Sequence, residues 1–474
     1  MAMRFSFLHR LQRLRCVRLF VWALGSAIVP SSLTHAAPCS GSIAATTVAP
    51  CAVQNSPELW AARLQLQALA AQRRSARRIL PSHPQLSVSL AERRPFASSA
   101  AMPDQTSVLN WYLTLSQEIE IAGQRGLRVA AIDGEVAAQL RRVAVIEQET
   151  AAAALRAFAE VLAAREERTL TERAAEVAAT LSRYTAARAA QELVPSIEAD
   201  LARAEAARWH LLRSEVEQRT RNAEVLLRLS LLPLSESAAA LDPLALTGRL
   251  EDILPSDNPS LSDPARALPI DDVEARLKQA LRLRAELDVA RYEVQSKQAQ
   301  MDLLRRSRIP NLALSFTAQS DGFGERVLGG GLSLPLPLPE PIGPSKSGEV
   351  AAAAIAVEQA KTDSERRRRQ IALEVHVALS AVQAAQRALS QVPSDLLARA
   401  QTDLWAIAEA IRGGRVSLRE ALLWQRGLLD LLQLHLRARR DYALARIELL
   451  RASGLPLLQD SLPKGPAHTQ EEPR

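Results

Sequence analysis

The residues able to do chemistry in this chain are few, and their spacing does not suit it. Its seven histidines are His9, His35, His83, His210, His376, His435 and His468. They are scattered, and none belongs to a set of histidine, cysteine and carboxylate ligands at the spacing of a zinc centre. No nucleophile elbow, phosphate-binding loop or dinucleotide fingerprint occurs. The "GGG" at 329–331 sits inside an alternating, strand-like stretch and not between a strand and a helix, so close strand packing or sheet curvature is its expected role. In the run "ERRRRQ", residues 365–370, four successive arginines on a helix point to all sides, which describes a solvated face with some ion pairs. No enzyme activity, metal or cofactor is expected.

Charge excludes a further class. The formal net charge is +7. Arg4, Arg10, Arg13, Arg15 and Arg18 carry much of it, with no acidic residue among them. They precede the apolar run "LFVWALGSAIV" and the small residues of "THAAPCS", the order of a secretory signal peptide over residues 1–36. Eleven apolar residues are too few to span a bilayer. Without this segment the chain is nearly neutral, and no basic stripe with interleaved aromatics marks a nucleic-acid surface. Cys39 and Cys51 remain, either as a disulfide in an oxidising compartment or as a lipid attachment point.

The elements come in two similar halves. "HPQLSVSL", "YLTLSQEIEIAGQRGLRVAAI" and "LLPL" recur in order as "IPNLALSF", "GGGLSLPLPLPEPIGPSKSGEVAAAAIAVEQA" and "GLPL", at a nearly constant offset. The expected organisation is a first repeat over 37–232, a Pro-, Ser- and Asp-rich connector over 233–270, a second repeat over 271–457, and a polar tail over 458–474. Within each repeat one helix (57–80 or 271–308) leads into two strands, then a pair of long helices. The strands are expected near 85–121 and 311–338, and the long helices over 126–232 and 349–453. The fold class is mainly α with a small β part.

Leu109, Trp111, Leu113 and Leu115 alternate with Asn110, Tyr112, Thr114 and Ser116. Leu86, Val88 and Leu90 follow the same period of two, as do Leu312, Leu314 and Phe316, and Leu328, Leu332, Leu334 and Leu336. Each strand thus has one apolar and one wet face, and four strands cannot close a barrel alone. In a secreted chain without a covering layer, the apolar face points to lipid. Gly126 to about Arg188 contains no proline, and Glu349 to Arg412 contains only Pro393, so both predict helices far longer than the globular average, packed as coiled coils.

Two short segments interrupt this pattern. Pro335, Pro337 and Pro339, with Gly348 behind them, mark a strand-to-helix junction, because proline donates no ladder hydrogen bond and suits a strand end. In "IRGGRVSLREAL", Gly413 and Gly414 break a long helix, and Val416, Ser417 and Leu418 restart it. Ser417 is the expected N-cap, with Glu420 completing a capping box.

These ordered features, from about Ser56 to Leu457, resemble the outer-membrane factor family (TolC-like), the exit ducts of bacterial tripartite efflux pumps and type I secretion systems. The "SLPLPL" block and the overall register are most similar to its cation- and heavy-metal-efflux branch. The resemblance implies a homotrimer, in which each chain adds four strands to a transmembrane β-barrel and its helices to a periplasmic tunnel. It implies docking through the tip Gly413, Gly414, Val416, Ser417 and Leu418 onto a periplasmic adapter (membrane fusion) protein, coupled to an inner-membrane transporter of the resistance-nodulation-division type. It also implies that acidic residues near the tip, here Asp395 and Asp403, line an aperture that favours cations. The first-half tip departs from the pattern, with Ala187 where glycine is expected and an extended stretch before Pro195 and Ser196.

The implied function is a passive outer-membrane conduit for metal cations or small toxic compounds. A type I secretion duct for proteins shares this architecture. A secreted periplasmic coiled-coil scaffold would share the signal peptide but leaves four lipid-compatible strands unexplained.

Overall fold

The computed structural model describes residues 42–93, 108–232, 245–253, 272–320, 325–338, 342–343, 345–413 and 416–458. The expected signal peptide, Cys39, Pro339, Gly414, the tail and most of the connector lie outside these residues.

Helix α1 (Ala45–Asn55) leads into α2 (Pro57–Ala76), which starts where Ser56 accepts a hydrogen bond from Leu59 N at 3.2 Å. Proline at the first helical position suits this start, since its missing N–H would have no partner there. Strands β1 (Gln85–Arg93) and β2 (Val108–Ile119) follow, then α3 (Gln124–Ala190) and α4 (Ser196–Leu231). A short 3₁₀ turn (Leu250–Ile253) belongs to the connector. The order then recurs as α5 (Val273–Leu283), α6 (Ala285–Arg306), β3 (Leu312–Ser320), β4 (Arg326–Ser333), α7 (Ser347–Ser390), α8 (Ser394–Arg412) and α9 (Leu418–Ala452). The protein is mainly helical with one small sheet, as its periodicity requires.

At 67 residues, α3 runs on the order of 100 Å. Alanine is the commonest residue on its buried side, which lets neighbouring backbones come close. At Gly134 the approach is close: a Cβ would lie 2.9 Å from Ser296 Cβ and 3.0 Å from Ser296 Cα on α6. Gly134→Val should therefore destabilise the α3–α6 pair by about 1–3 kcal/mol, because backbone must move to admit it. Thermal unfolding of the purified variant measures this, and an unchanged midpoint would contradict the packing described.

Three expectations need correction. The helix expected over 349–412 is two helices, since Pro393 lacks an N–H and its ring obstructs the preceding turn. The helix expected over 271–308 is also two, split at Arg284, which has an extended backbone. At the first-half tip, Ala187 is helical. The left-handed residue is Glu192 (φ 61°), in a turn where Leu193 N donates to Arg188 O and Glu192 N to Ala189 O.

Buried residues form a chain of clusters along the helices. The largest joins α1, α3, α4, α9 and the connector turn around Phe158, Leu227 and Ile447. Here the connector is tied to the N-terminal segment, with Ile43 N donating to Ala245 O and Thr247 N to Ile43 O. A second cluster joins α3, α4, α8 and α9 around Trp209 and Leu429. The third joins α5, α7 and α9 around Ile371 and Leu379. The fourth, around Leu181, Ile407 and Ala421, lies nearest the tips.

Candidate functional site: an open sheet and a helical tip

The four strands form one antiparallel sheet in the order β1-β2-β3-β4. Its register sorts the side chains. Leu86 pairs with Leu115 and Leu115 with Phe316, while Val88 pairs with Leu113, Leu113 with Ala318 and Ala318 with Leu328. One face is therefore apolar across all four strands. It is bare: Leu86, Val88 and Leu90 are 62–68% exposed, and Leu328 and Leu332 are similarly open. Among the described residues no helix covers it.

The opposite face carries Ser87, Thr114 and Thr317 in one row, and Gln85, Ser116 and Ser315 in the next. These rows end on Gly329 and Gly331. A Cβ on Gly331 would fall 2.5 Å from Ser315 Oγ, and one on Gly329 3.0 Å from Thr317 Oγ1. The glycines thus leave room for the hydroxyls beside them, and they do not cradle a phosphate. Both outer strands, β1 and β4, have a free edge among the described residues, so backbone donors and acceptors there await partners that the described residues do not supply.

Beyond Ser333 the ladder stops. Pro335 and Pro337 follow outside any ladder and exposed, consistent with a residue type that cannot donate to a ladder. The junction turn itself does not depend on Gly348, which lies in the first turn of α7 with open space where a Cβ would stand. The residue that reverses the backbone is Lys346 (φ 55°), just before α7, and its counterpart before α3 is Gly123 (φ 75°).

At the tip, Gly413 is exposed in a turn, and Val416 packs on the fourth cluster. Ser417 Oγ accepts from Glu420 N at 3.3 Å, and Glu420 Oε2 accepts from Ser417 N at 3.1 Å, the reciprocal pair of a capping box. Hydrogen bonds from the Ser417 hydroxyl and then its backbone hold the Glu420 carboxyl below its ordinary value. Leu418 opens α9. Asp395, in the first turn of α8, is paired with Arg399. Asp403 is exposed on the same helix, roughly 15 Å of helix from Gly413. The aspartates and Gly413 therefore share one arm without touching. Cys51 is disulfide-bonded, so its thiol is not free to take a lipid.

Two ionic groups, Glu205 buried and Glu448 partly so, carry no signal in the sequence. Glu205 on α4, 4% exposed, accepts from Arg426 on α9 at 2.6 Å and from Trp209 Nε1 at 3.1 Å. Burial alone would raise its pKa, but the Arg426 and Arg208 charges and these hydrogen bonds outweigh that and lower it. Glu448 on α9 behaves likewise: burial raises it, and Arg451, Arg156 and Arg284 lower it further. Carboxyls depressed in the fold stabilise it above their ordinary value of 4.5, and that stability is lost as pH falls through the folded pKa. The unfolding midpoint should drop below pH 4.5, with each unit of depression worth about 1.4 kcal/mol. Glu205→Gln should flatten this dependence in melts over an acid pH series.

Residues 277–455 match the family model described as outer membrane efflux protein. No curated protein sequence matches the chain. Solved structures share the fold across nearly its whole length. The outer membrane protein VceC of Vibrio cholerae aligns with a TM-score of 0.65 at 18% identity, over 87% of this chain and 96% of that one. The open-state MtrE outer membrane channel of Neisseria gonorrhoeae aligns at 0.67 and 15% identity, over 88% and 90%. The Campylobacter jejuni CmeC outer membrane channel aligns at 0.66 and 15%, over 86% and 85%. The fold is that of outer-membrane channels.

Proposed function

We propose that this protein is the outer-membrane channel of a tripartite efflux pump, a passive duct that performs no chemistry and carries no cofactor. The carrying observation is the open-edged sheet with one bare apolar face and one hydroxyl-lined face. Such a sheet meets both of its needs, edge partners and a non-aqueous surround, when copies join edge to edge in a bilayer. Strands of 8 to 12 residues bracket the roughly 9–11 needed to cross at a tilt. Three copies would close a twelve-stranded barrel, and the long helices would extend it into the periplasm. Those three copies, a periplasmic adapter docked at residues 413–418, and a resistance-nodulation-division transporter complete the pump. The two halves, 37–232 and 271–457, would descend from one duplicated unit behind a cleaved signal peptide.

Fractionation tests this. A heat-resistant trimer in the outer-membrane fraction is expected, and a monomer in the soluble periplasmic fraction would overturn the reading. For cargo, we favour metal cations or other small toxic compounds. Asp403 is the better aperture candidate, since Asp395 is engaged by Arg399. In planar bilayers Asp403→Asn should reduce the cation preference of the conductance several-fold, and an unaltered preference would remove Asp403 from the aperture.

A further inference from the structure

We propose that the junction between the helices and the sheet carries a basic collar that binds the anionic headgroups of phospholipids in the adjoining leaflet. This rests on the membrane reading above. The observation is a signature present in both halves: "RRSARRI" closes α2 (Arg73 to Ile79), and "RRSRI" closes α6 (Arg305 to Ile309). The first turn of α3 joins the two. Arg125 Nε donates to Arg77 O at 3.1 Å, and Arg128 donates to Arg78 O at 3.3 Å, while Gln124 Nε2 donates to Ile309 O at 3.4 Å. Lys346, ahead of α7, reaches Ser307 Oγ at 3.2 Å. Four helix ends therefore meet beneath the sheet.

Complementing the helix dipole accounts for only part of this charge. Arg73, Arg74, Arg305 and Arg306 stand in last turns, where a cation offsets the exposed carbonyls. Arg77, Arg78 and Arg308 come after the final helical residue, so more cations gather here than the last turns themselves carry. Three nearby carboxylates are already engaged, Asp133 by Arg73, Glu120 by Arg128 and Asp302 by Arg305. Arg74, Arg77, Arg78, Arg306 and Arg308 are exposed and form no ion pair among the described residues. Directly beyond them Ile79 is 74% and Ile309 42% exposed, and the apolar face of the sheet begins a few residues further on. Arginine followed by bare isoleucine and then a lipid-compatible strand is the ordering of a bilayer interface: guanidinium at phosphate depth, aliphatic carbon below it. The planar guanidinium fork can pair with two phosphate oxygens at once.

The test uses the full-length protein purified from membranes in a neutral detergent, with bound lipid counted by native mass spectrometry. The probes are phosphatidylglycerol and phosphatidylcholine of identical acyl chains. Each collar arginine near the surface should contribute about fivefold to anionic-lipid affinity. The parent is expected to retain phosphatidylglycerol over phosphatidylcholine by at least tenfold. The quadruple change Arg77→Gln, Arg78→Gln, Arg306→Gln and Arg308→Gln should abolish that preference, and lysine at the same four positions should keep most of it. Excess inorganic phosphate should not displace the lipid, and displacement would assign the site to free phosphate instead. Equal retention of the two lipids by the parent, or a preference that survives the glutamine changes, overturns the collar while leaving the channel reading intact. Recovery of the parent in the soluble fraction overturns the membrane reading, and the collar with it.

Discussion

Arg284→Ala is expected to destabilise the protein by about 3–5 kcal/mol, among the largest losses any single truncation would produce. The Arg284 side chain is 4% exposed at the α5–α6 break. It donates to Glu286 at 2.6 Å and to Glu374 on α7 at 3.1 Å. It also donates to the carbonyls of Arg451 and Ala452 at the end of α9, at 3.2 and 3.3 Å. Arg451 shares Glu374 at 3.1 Å. Truncation would take a donor at once from two largely buried carboxylates and two helix-terminal carbonyls; Glu374 keeps Arg451 and the Arg451 carbonyl keeps Gly454 N, whereas Glu286 and the Ala452 carbonyl lose the most. The same corner is sterically fixed. Gly454 has φ 71°, and a Cβ there would meet Leu283 Cβ at 3.0 Å and Arg284 N at 3.1 Å. Thermal or urea unfolding in detergent measures the loss. Arg284→Lys should recover little of it, since an ammonium cannot span the same set of acceptors. A loss below about 1 kcal/mol would show that the corner is held by apolar packing alone.

On the proposed channel reading, Val88→Arg is expected to prevent assembly in the outer membrane, whereas Ser87→Arg, one residue away, should assemble and alter conductance. Val88 lies mid-strand on the apolar face, between Leu86 and Leu90 and opposite Leu113. A charge on the lipid side near the midplane costs about 2–4 kcal/mol per chain, and a closed assembly repeats it in every copy. Ser87 pairs with Thr114 on the hydroxyl-lined face. Heat-modifiable trimer in outer-membrane fractions reports the first effect, and single-channel current the second. The opposite pattern would mean that the sheet curls with its leucines inward.

Much of this architecture is legible in the sequence because its signals are local. Alternation in "VLNWYLTLS" marks a strand and identifies its faces without knowledge of any neighbour, and β2 falls within the expected stretch. The Ser417–Glu420 box is equally local, with all its partners within four residues. Other features are hidden for physical reasons. Pro393 divides α7 from α8, yet a proline in a periodic helical pattern either kinks a helix or ends it, and packing decides which. Lys346 and Glu192 adopt left-handed backbone that neither residue type advertises. Gly348 and Ala187 stand out by residue type, but both sit in ordinary helix and neither makes a turn.

By itself, the sequence determined the kinds of element, their order and the faces they present, because hydrophobic period and capping are properties of contiguous residues. Only the tertiary structure decided the sheet register, the Gly134–Ser296 approach and the pairs Glu205–Arg426 and Arg284–Glu374. Those partners stand 90 to 221 residues apart in their hydrogen bonds. An arginine destined for a buried carboxylate looks, in a helical sequence, like any arginine destined for water. What separates them is the desolvation imposed by the elements packed around them, and that exists only once the chain has folded.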